Sequence, residues 1–127
     1  MVEITLKGKL KHASEFSEEK RELYWKEGRM VLKTTRSSNK DEKERNYYSI
    51  PLKIEERNGE KVENQFDSIM LIFWEDRVSS QTWQTAANLK ENQLITVSGE
   101  IGGRDDGLLT VKALEEEESN DEGDIFI

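Results

Sequence analysis

The stretch YSIPLKIEERNGEKVENQFDSIMLIFW, residues 48–74, combines two apolar-patterned segments with a turn signal between them. Apolar residues occupy every second position across 48–54, which is the period of a strand buried on one face. The Asn-Gly pair at 58–59 favours the positive φ of a tight hairpin turn, and a return strand is predicted from Val62 to Trp74. Because the last six residues of that strand are all apolar, it should lie centrally in a sheet.

Further strand and helix patterns lie on both sides of this hairpin. Residues 2–11 alternate between apolar and mostly basic positions, and Gly8 on the apolar side predicts a bend or a bulge. After the hairpin, a Ser-Ser pair can cap a helix over about 81–90. Two more alternating segments, 94–101 and 109–113, predict the final strands.

The order of these elements predicts the fold. A strand is followed by an irregular insert at 12–46, then by the long hairpin, the helix and a second hairpin. In the insert, Ser17–Glu22 fits either a short helix or a polar loop, and Met30–Arg36 is predicted to be a strand. Five strands with one helix between the third and the fourth are the plan of an OB-fold barrel. The predicted class is therefore all-β with one short helix.

The acidic charge is concentrated at the C-terminus. The chain of 127 residues carries 27 acidic and 19 basic side chains, a formal net charge of −8. Seven of the acidic residues and none of the basic ones lie in 115–127, so residues 1–114 are nearly neutral. We therefore predict an OB-fold domain over 1–114 and a disordered acidic tail over 115–127. Its apolar end, at 125–127, suits either a basic-rimmed pocket of a partner or the core of the domain itself.

Composition excludes several function classes. The absence of cysteine excludes disulfide scaffolds, thiolate metal sites and cysteine nucleophiles, and a single histidine, His12, excludes a His-rich metal site. No nucleophile–base arrangement or phosphate-binding loop pattern occurs, so we expect neither an enzyme nor a cofactor. No apolar run approaches the ~20 residues that cross a bilayer, and no signal peptide is evident. We therefore expect a cytoplasmic protein with no membrane association.

Several segments resemble the single-stranded DNA-binding proteins of bacteria and their phages. The ending DEGDIFI, residues 121–127, is similar to the acidic tip of that family, which usually ends Asp-Asp-Ile-Pro-Phe. Ile69–Ile101 resembles the third strand, helix and fourth strand of the family, and Val2–Leu10 resembles the first strand. The insert at 12–46 has no counterpart, and the long linker before the tip is missing. The short tail looks more like that of a phage-encoded member than of a cellular one.

The resemblance implies a function and partners. It implies sequence-independent binding of single-stranded DNA in replication, recombination and repair, in a bacterial or phage-infected cell. The tip would recruit replication and recombination proteins through Asp121, Glu122, Asp124, Ile125, Phe126 and Ile127. It also implies a homo-oligomer, either a dimer or a tetramer. The alternative is an OB-fold adaptor that binds proteins but no nucleic acid, because the body is nearly neutral and its basic residues are interleaved with acids.

Binding of single strands without sequence preference needs aromatic faces for the bases and basic side chains for the phosphates. Trp74 matches the aromatic residue at the end of the family's third strand, which implies stacking there. Tyr48 shares the parity of the core positions, whereas Tyr47 lies on the opposite face and is the better candidate; Trp25 fits either role. The candidate single-strand-binding residues are Lys7, Lys9, Trp25, Lys33, Arg36, Tyr47, Lys53, Arg57, Phe66 and Trp74. For the basic residues, the alternative is a solvated face with weak surface ion pairs.

Overall fold

The structure is a computed structural model that describes residues 2–35, 44–63, 68–102 and 107–117. Short elements fill the region between the first two long strands. In chain order the elements are β1 (Val2–Leu10), a 3₁₀ turn (Ala13–Glu15), α1 (Glu18–Tyr24), β2 (Trp25–Lys26), β3 (Arg29–Met30), β4 (Lys33–Thr35), β5 (Arg45–Arg57), β6 (Glu60–Lys61), β7 (Ser68–Trp74), α2 (Ser80–Ala87), β8 (Leu94–Gly102) and β9 (Leu108–Glu116).

Five long strands close into a barrel. β1 pairs antiparallel with both β8 and β5, β8 pairs antiparallel with β9, and β7 pairs antiparallel with β5. A parallel pairing between β7 and β9 completes the circle. The fold is therefore mostly β, with a closed five-strand barrel that is consistent with an OB-fold-like barrel. The prediction of a single short helix is wrong, because the described residues contain two α-helices, α1 and α2.

The alternating apolar residues of the five strands point into the barrel and form its core. On the predicted hairpin, every second side chain is buried, and the completely buried ones include Ile50, Leu52, Leu71 and Phe73. The helix α2 is capped by the Ser79 hydroxyl, which accepts a hydrogen bond from the backbone N–H of Thr82. Its Ala86 and the following Leu89 are completely buried. The period-two patterns are therefore explained by burial of one face of each strand.

The long hairpin is shorter than predicted on its return side. Asn58 and Gly59 have φ values of 50° and 84°, as the turn signal predicts. They connect β5 to the two-residue strand β6, and the main return strand, β7, begins only at Ser68. The predicted strand from Val62 to Trp74 is therefore wrong at Val62 and Glu63, which lie outside any strand, while residues 64–67 lie outside the described part of the chain.

Glycines allow two bends that the closed barrel needs. The pairing of β1 with β5 shifts register between Lys7 and Gly8, which confirms the predicted bulge. A Cβ on Gly8 would overlap the backbone carbonyl oxygen of Lys53. A second register shift precedes Gly99 on β8, where a Cβ would overlap the carbonyl oxygen of Thr110. Strands bend at such bulges, and only glycine permits so close an approach of two backbones.

The insert folds back onto the barrel through the two-stranded hairpin of β2 and β3 and through β4. The sequence of Ser17–Glu22 fits either a helix or a loop, and in the structure this segment lies at the start of α1. The predicted strand Met30–Arg36 is divided, because Met30 belongs to β3 and the three residues of β4 pair with β5. Arg36 lies outside the described residues. The insert is therefore attached to the edge of the sheet next to β5.

The barrel continues beyond the predicted domain boundary at residue 114. Glu115 and Glu116 are part of β9 and pair with Thr96 and Ile95 of β8. The Thr96 hydroxyl then donates a hydrogen bond of 2.8 Å to the Glu117 carboxylate. β9 therefore extends two residues beyond the predicted boundary. The predicted tip residues and the rest of the tail, 118–127, lie outside the described part of the chain. No helix in the described part is long and apolar enough to cross a membrane.

Candidate nucleic-acid interface

The outward positions of β5 and β7 form one continuous surface. Cross-strand partners share a face of the sheet, and the residues between them point into the core. We call this surface the outer face, and its residues are Tyr47, Ser49 and Pro51 on β5 and Met70, Ile72 and Trp74 on β7. All six are partly exposed. The surface is therefore apolar and aromatic but open to solvent.

Two aromatic rings and a guanidinium group meet at one end of the outer face. Tyr47 lies directly opposite Trp74, with ring centroids 4.9 Å apart and planes inclined at 42°. The Arg45 guanidinium carbon lies 3.9 Å from the centroid of the Trp74 ring. Arg45 also donates hydrogen bonds of 2.7 and 2.8 Å to the Asp76 carboxylate. The Arg45 side chain, through these hydrogen bonds and its charge, lowers the pKa of Asp76.

Lys33 extends this group across the neighbouring strand. In the pairing of β4 with β5, Lys33 lies opposite Tyr47, so Trp74, Tyr47 and Lys33 form a row across three strands. The Lys33 ammonium donates a 3.0 Å hydrogen bond to the Ser49 hydroxyl and lies 4.8 Å from the centroid of the Tyr24 ring. Burial lowers the pKa of Lys33. We call Lys33, Arg45, Tyr47 and Trp74 the aromatic end of β5.

The other predicted basic residues lie towards the opposite end of β5. Lys53 forms a 2.7 Å ion pair with Glu15, and Lys7 forms a 3.5 Å ion pair with Glu56. Lys9 lies beside Lys53 in the pairing of β1 with β5. Arg57 is exposed at the last position of the strand, ten residues from Tyr47 and thus roughly 30 Å along an extended chain. We call Lys7, Lys9, Lys53 and Arg57 the ion-paired end.

The structure therefore divides the predicted site and removes one residue from it. Trp25 is only 4% exposed, and its indole N–H donates a 2.7 Å hydrogen bond to the backbone oxygen of Lys11. Of the two roles open to Trp25, the structure shows core packing, so its place among the strand-binding residues is wrong. Tyr48 is also a core residue, 8% exposed with its ring centroid 4.7 Å from that of Trp83. Arg36 and Phe66 lie outside the described residues.

Sequence reasoning missed two residues of this surface. Arg45 stands two positions before Tyr47 and therefore lies on the same face of β5. The period-two pattern of the sequence predicts this position for Arg45. Tyr24 lies in the insert, and no local pattern indicates that its ring reaches Lys33 from the end of α1. That contact depends on how the insert folds back, which is a property of the tertiary structure.

No family model, curated protein or solved structure matches the chain. What the outer face can bind is therefore inferred from its own chemistry. In the described ranges of the chain, no cluster of three His, Cys, Asp or Glu side chains is placed to hold a metal ion. The aromatic end instead offers ring faces and cations side by side, an arrangement that suits flat, anionic ligands such as nucleotides.

Proposed function

We propose that this protein is an OB-fold protein that binds single-stranded DNA without sequence preference through the outer face. The observation that carries the proposal is the cluster of Arg45, Tyr47 and Trp74, in which two partly exposed rings and a guanidinium group lie in contact. Aromatic faces stack on any base, and cations beside them contact the phosphates. In OB-folds, the face of the second and third strands binds oligonucleotides, and β5 and β7 hold those places in this barrel.

The surroundings of the cluster support this use. Ile72, Met70 and Pro51 continue the apolar surface along β5 and β7 and offer contacts for bases and sugars. Two N–H groups of the Arg45 guanidinium donate hydrogen bonds to the Asp76 carboxylate. A phosphate has the same two-oxygen geometry, so it can replace Asp76 at the guanidinium group. A strand that lies across the cluster can thus place a base on the rings and a phosphate on Arg45.

The test is a titration of the full chain with a labelled oligo-dT, followed by fluorescence anisotropy at several salt concentrations. We expect binding that weakens as the salt concentration rises. Trp74→Ala should lower the affinity about tenfold or more, because stacking of one base contributes ~1–3 kcal/mol. Trp74→Phe keeps a ring and should retain most of the affinity. Absence of binding by the full chain at micromolar protein and low salt would overturn the proposal.

A matched control separates stacking from general damage to the barrel. Trp83 packs against Tyr48 beside the core, away from the outer face, so Trp83→Ala makes the same change as Trp74→Ala at another place. We expect the folded Trp83→Ala chain to bind oligo-dT as the unaltered chain does. Circular dichroism and thermal unfolding of each variant show whether the barrel is intact.

We also propose that the acidic C-terminal tip recruits proteins of replication, recombination or repair, and that the protein forms a dimer or a tetramer. The first part is supported by the concentration of acidic residues at the end of the chain. Removal of 118–127 is the appropriate truncation, because Glu115 and Glu116 belong to β9 and Glu117 is hydrogen-bonded to β8. We expect the truncated chain to bind oligo-dT more tightly at low salt, because four acidic side chains no longer compete with the phosphates. Analytical ultracentrifugation measures the number of subunits.

A second candidate function is that of a protein-binding adaptor. It is favoured by the apolar residues Met70, Ile72 and Leu108, which lie side by side across β7 and β9 and are partly exposed. The two functions differ in one measurement. An adaptor does not bind oligo-dT even after removal of 118–127, whereas a single-strand-binding protein does so with and without these residues.

A further inference from the structure

Lys33 combines partial burial with a cation that has no carboxylate partner among the described residues. The described ion pairs of basic strand residues involve Lys7, Arg45, Lys53 and Lys112. The Lys33 ammonium instead contacts a hydroxyl and a ring, and it is half-buried. Partly buried charges are usually paired, because removal from water costs free energy. An anion that arrives at this position would replace the lost hydration.

The ring beside Lys33 is held in place by the insert. Tyr24 ends α1, and its ring stacks on Phe16 with centroids 4.7 Å apart and planes inclined at 24°. The backbone carbonyl of Tyr24 accepts a 2.9 Å hydrogen bond from the N–H of Val31, across the hairpin of β2 and β3. The buried Trp25 follows immediately and anchors this hairpin in the core. Tyr24 is thus a fixed, partly exposed ring rather than a free side chain.

We infer that Lys33 and Tyr24 form a second nucleotide site. Phe16 covers one face of the Tyr24 ring and the Lys33 ammonium lies over the ring, so an ammonium that turns to a phosphate frees a ring face to stack on a base. This inference rests on the proposed function, because the same DNA strand would occupy the aromatic end. Lys33 lies directly opposite Tyr47 in the pairing of β4 with β5 and also contacts Ser49 of the outer face. A phosphate on Lys33 therefore lies between a base on Tyr47 and Trp74 and a base on Tyr24. In this way the insert lengthens the path that the bound DNA strand follows over the protein surface.

The test compares a short and a long oligo-dT, about 4 and about 16 nucleotides, which span the usual site sizes of one OB-fold. Tyr24→Ala should weaken binding of the long oligomer about tenfold and binding of the short one less than twofold. The reason is that the short oligomer occupies only the aromatic end and does not reach Tyr24. Tyr24→Phe keeps the ring and should restore the affinity. Leu23 precedes Tyr24 on the same helix and is 52% exposed, so Leu23→Ala is the matched control and should bind as the unaltered chain does.

A second variant tests the phosphate contact without removing a ring from the fold. Lys33→Gln should lower the slope of log affinity against log salt for the long oligomer by ~0.7, which corresponds to one phosphate contact on a single strand. Lys61→Gln removes an exposed cation from β6 and should leave the slope unchanged. Thermal unfolding shows that each variant is folded.

The outcomes distinguish the inference from the function on which it rests. If Tyr24→Ala weakens both oligomers equally, or neither, and Lys33→Gln leaves the salt slope unchanged, the second site is wrong. Weakening of both oligomers by Trp74→Ala would then show that the aromatic end still binds DNA. If the full chain binds neither oligomer, the proposed function fails and the second site fails with it.

Discussion

The two ends of β5 begin from similar sequence and differ in what their cations contact. At both ends, basic residues stand at outward positions of alternating strands. At the aromatic end, Lys33 and Arg45 lie over the rings of Tyr24 and Trp74. At the ion-paired end, Lys7 and Lys53 contact carboxylates. The same local pattern therefore places cations over aromatic rings at one end, where Arg45 also pairs with Asp76, and places Lys7 and Lys53 against carboxylates without rings at the other.

The difference arises from residues that lie far away in the chain. Glu15 of the 3₁₀ turn reaches Lys53, 38 positions further along, and Glu56 reaches Lys7 across the pairing of β1 with β5. Exposed pairs of this kind contribute only ~0.2–1 kcal/mol to stability, but they reduce the charge that a phosphate would meet. The availability of a basic side chain for an anionic ligand thus depends on its tertiary neighbours.

The largest expected effect concerns the bulge that places β1 against the ion-paired end. Gly8→Ala should lower the free energy of unfolding by about 1–3 kcal/mol or more, because the new Cβ overlaps the Lys53 carbonyl oxygen. Thermal or denaturant unfolding measures the loss. Gly102→Ala is the control, because no atom of another described residue lies within 4 Å of a Cβ built at that position. Equal stability of the Gly8→Ala variant and the unaltered chain would show that the bulge tolerates a side chain.

A smaller effect is expected for the guanidinium group at the aromatic end. Arg45→Ala should weaken oligo-dT binding up to about fivefold, because it removes one exposed contact with a phosphate, and exposed pairs of opposite charge contribute ~0.2–1 kcal/mol. Arg45→Lys keeps the positive charge but loses the planar guanidinium group, so its oligo-dT affinity should lie between those of the unaltered chain and the Arg45→Ala variant. Arg57→Ala makes the matched change at the ion-paired end and should have less effect. A larger loss with Arg57→Ala than with Arg45→Ala would reverse the assignment of the two ends.

The lysines of the ion-paired end should matter still less for DNA. The double variant with Lys7→Gln and Lys53→Gln removes two cations that already contact Glu56 and Glu15. We expect the salt dependence of oligo-dT binding to stay unchanged, because neither lysine releases counterions from the DNA. A shallower slope in this variant would mean that these lysines leave their carboxylates to contact phosphates.

The smallest expected effect is a dependence of stability on pH at Glu15. Burial raises the pKa of Glu15, but the hydrogen bonds from Lys53 and from the His12 backbone N–H, together with the nearby positive charge, outweigh it, so the pKa lies below its ordinary value of 4.5. Glu15 therefore contributes stability above the ordinary value, and this contribution is lost as the pH falls through the lower, folded value. Denaturant unfolding across this acidic range should show a loss that Glu15→Gln reduces. Identical profiles for both chains would argue against the ion pair.

Much of the barrel is predictable because its signals are local. The period-two patterns, the Asn-Gly turn, the Ser79 cap and the bulge at Gly8 each depend on residues close together in the chain. The division of the predicted strand Met30–Arg36 is not predictable in this way. It depends on which strand edge is available for pairing, and that edge is supplied by β5.

The candidate site is predictable residue by residue but not as an arrangement. Parity on β5 separates Tyr47 from the core residue Tyr48, and the end of an apolar strand marks Trp74. That these two rings meet follows from the register of β5 against β7. Trp25 shows the opposite case, since its burial depends on the folding of the insert against β1.

Local sequence was sufficient for the alternating strands, the cap of α2 and the separation of an acidic C-terminus from a nearly neutral body. These features depend on backbone geometry and charge over a few residues. Only the fold decided that Lys33 lies over a ring and that Lys7 and Lys53 contact carboxylates. The reason is physical, because burial and pairing are determined by cross-strand neighbours that the barrel brings together from distant parts of the chain.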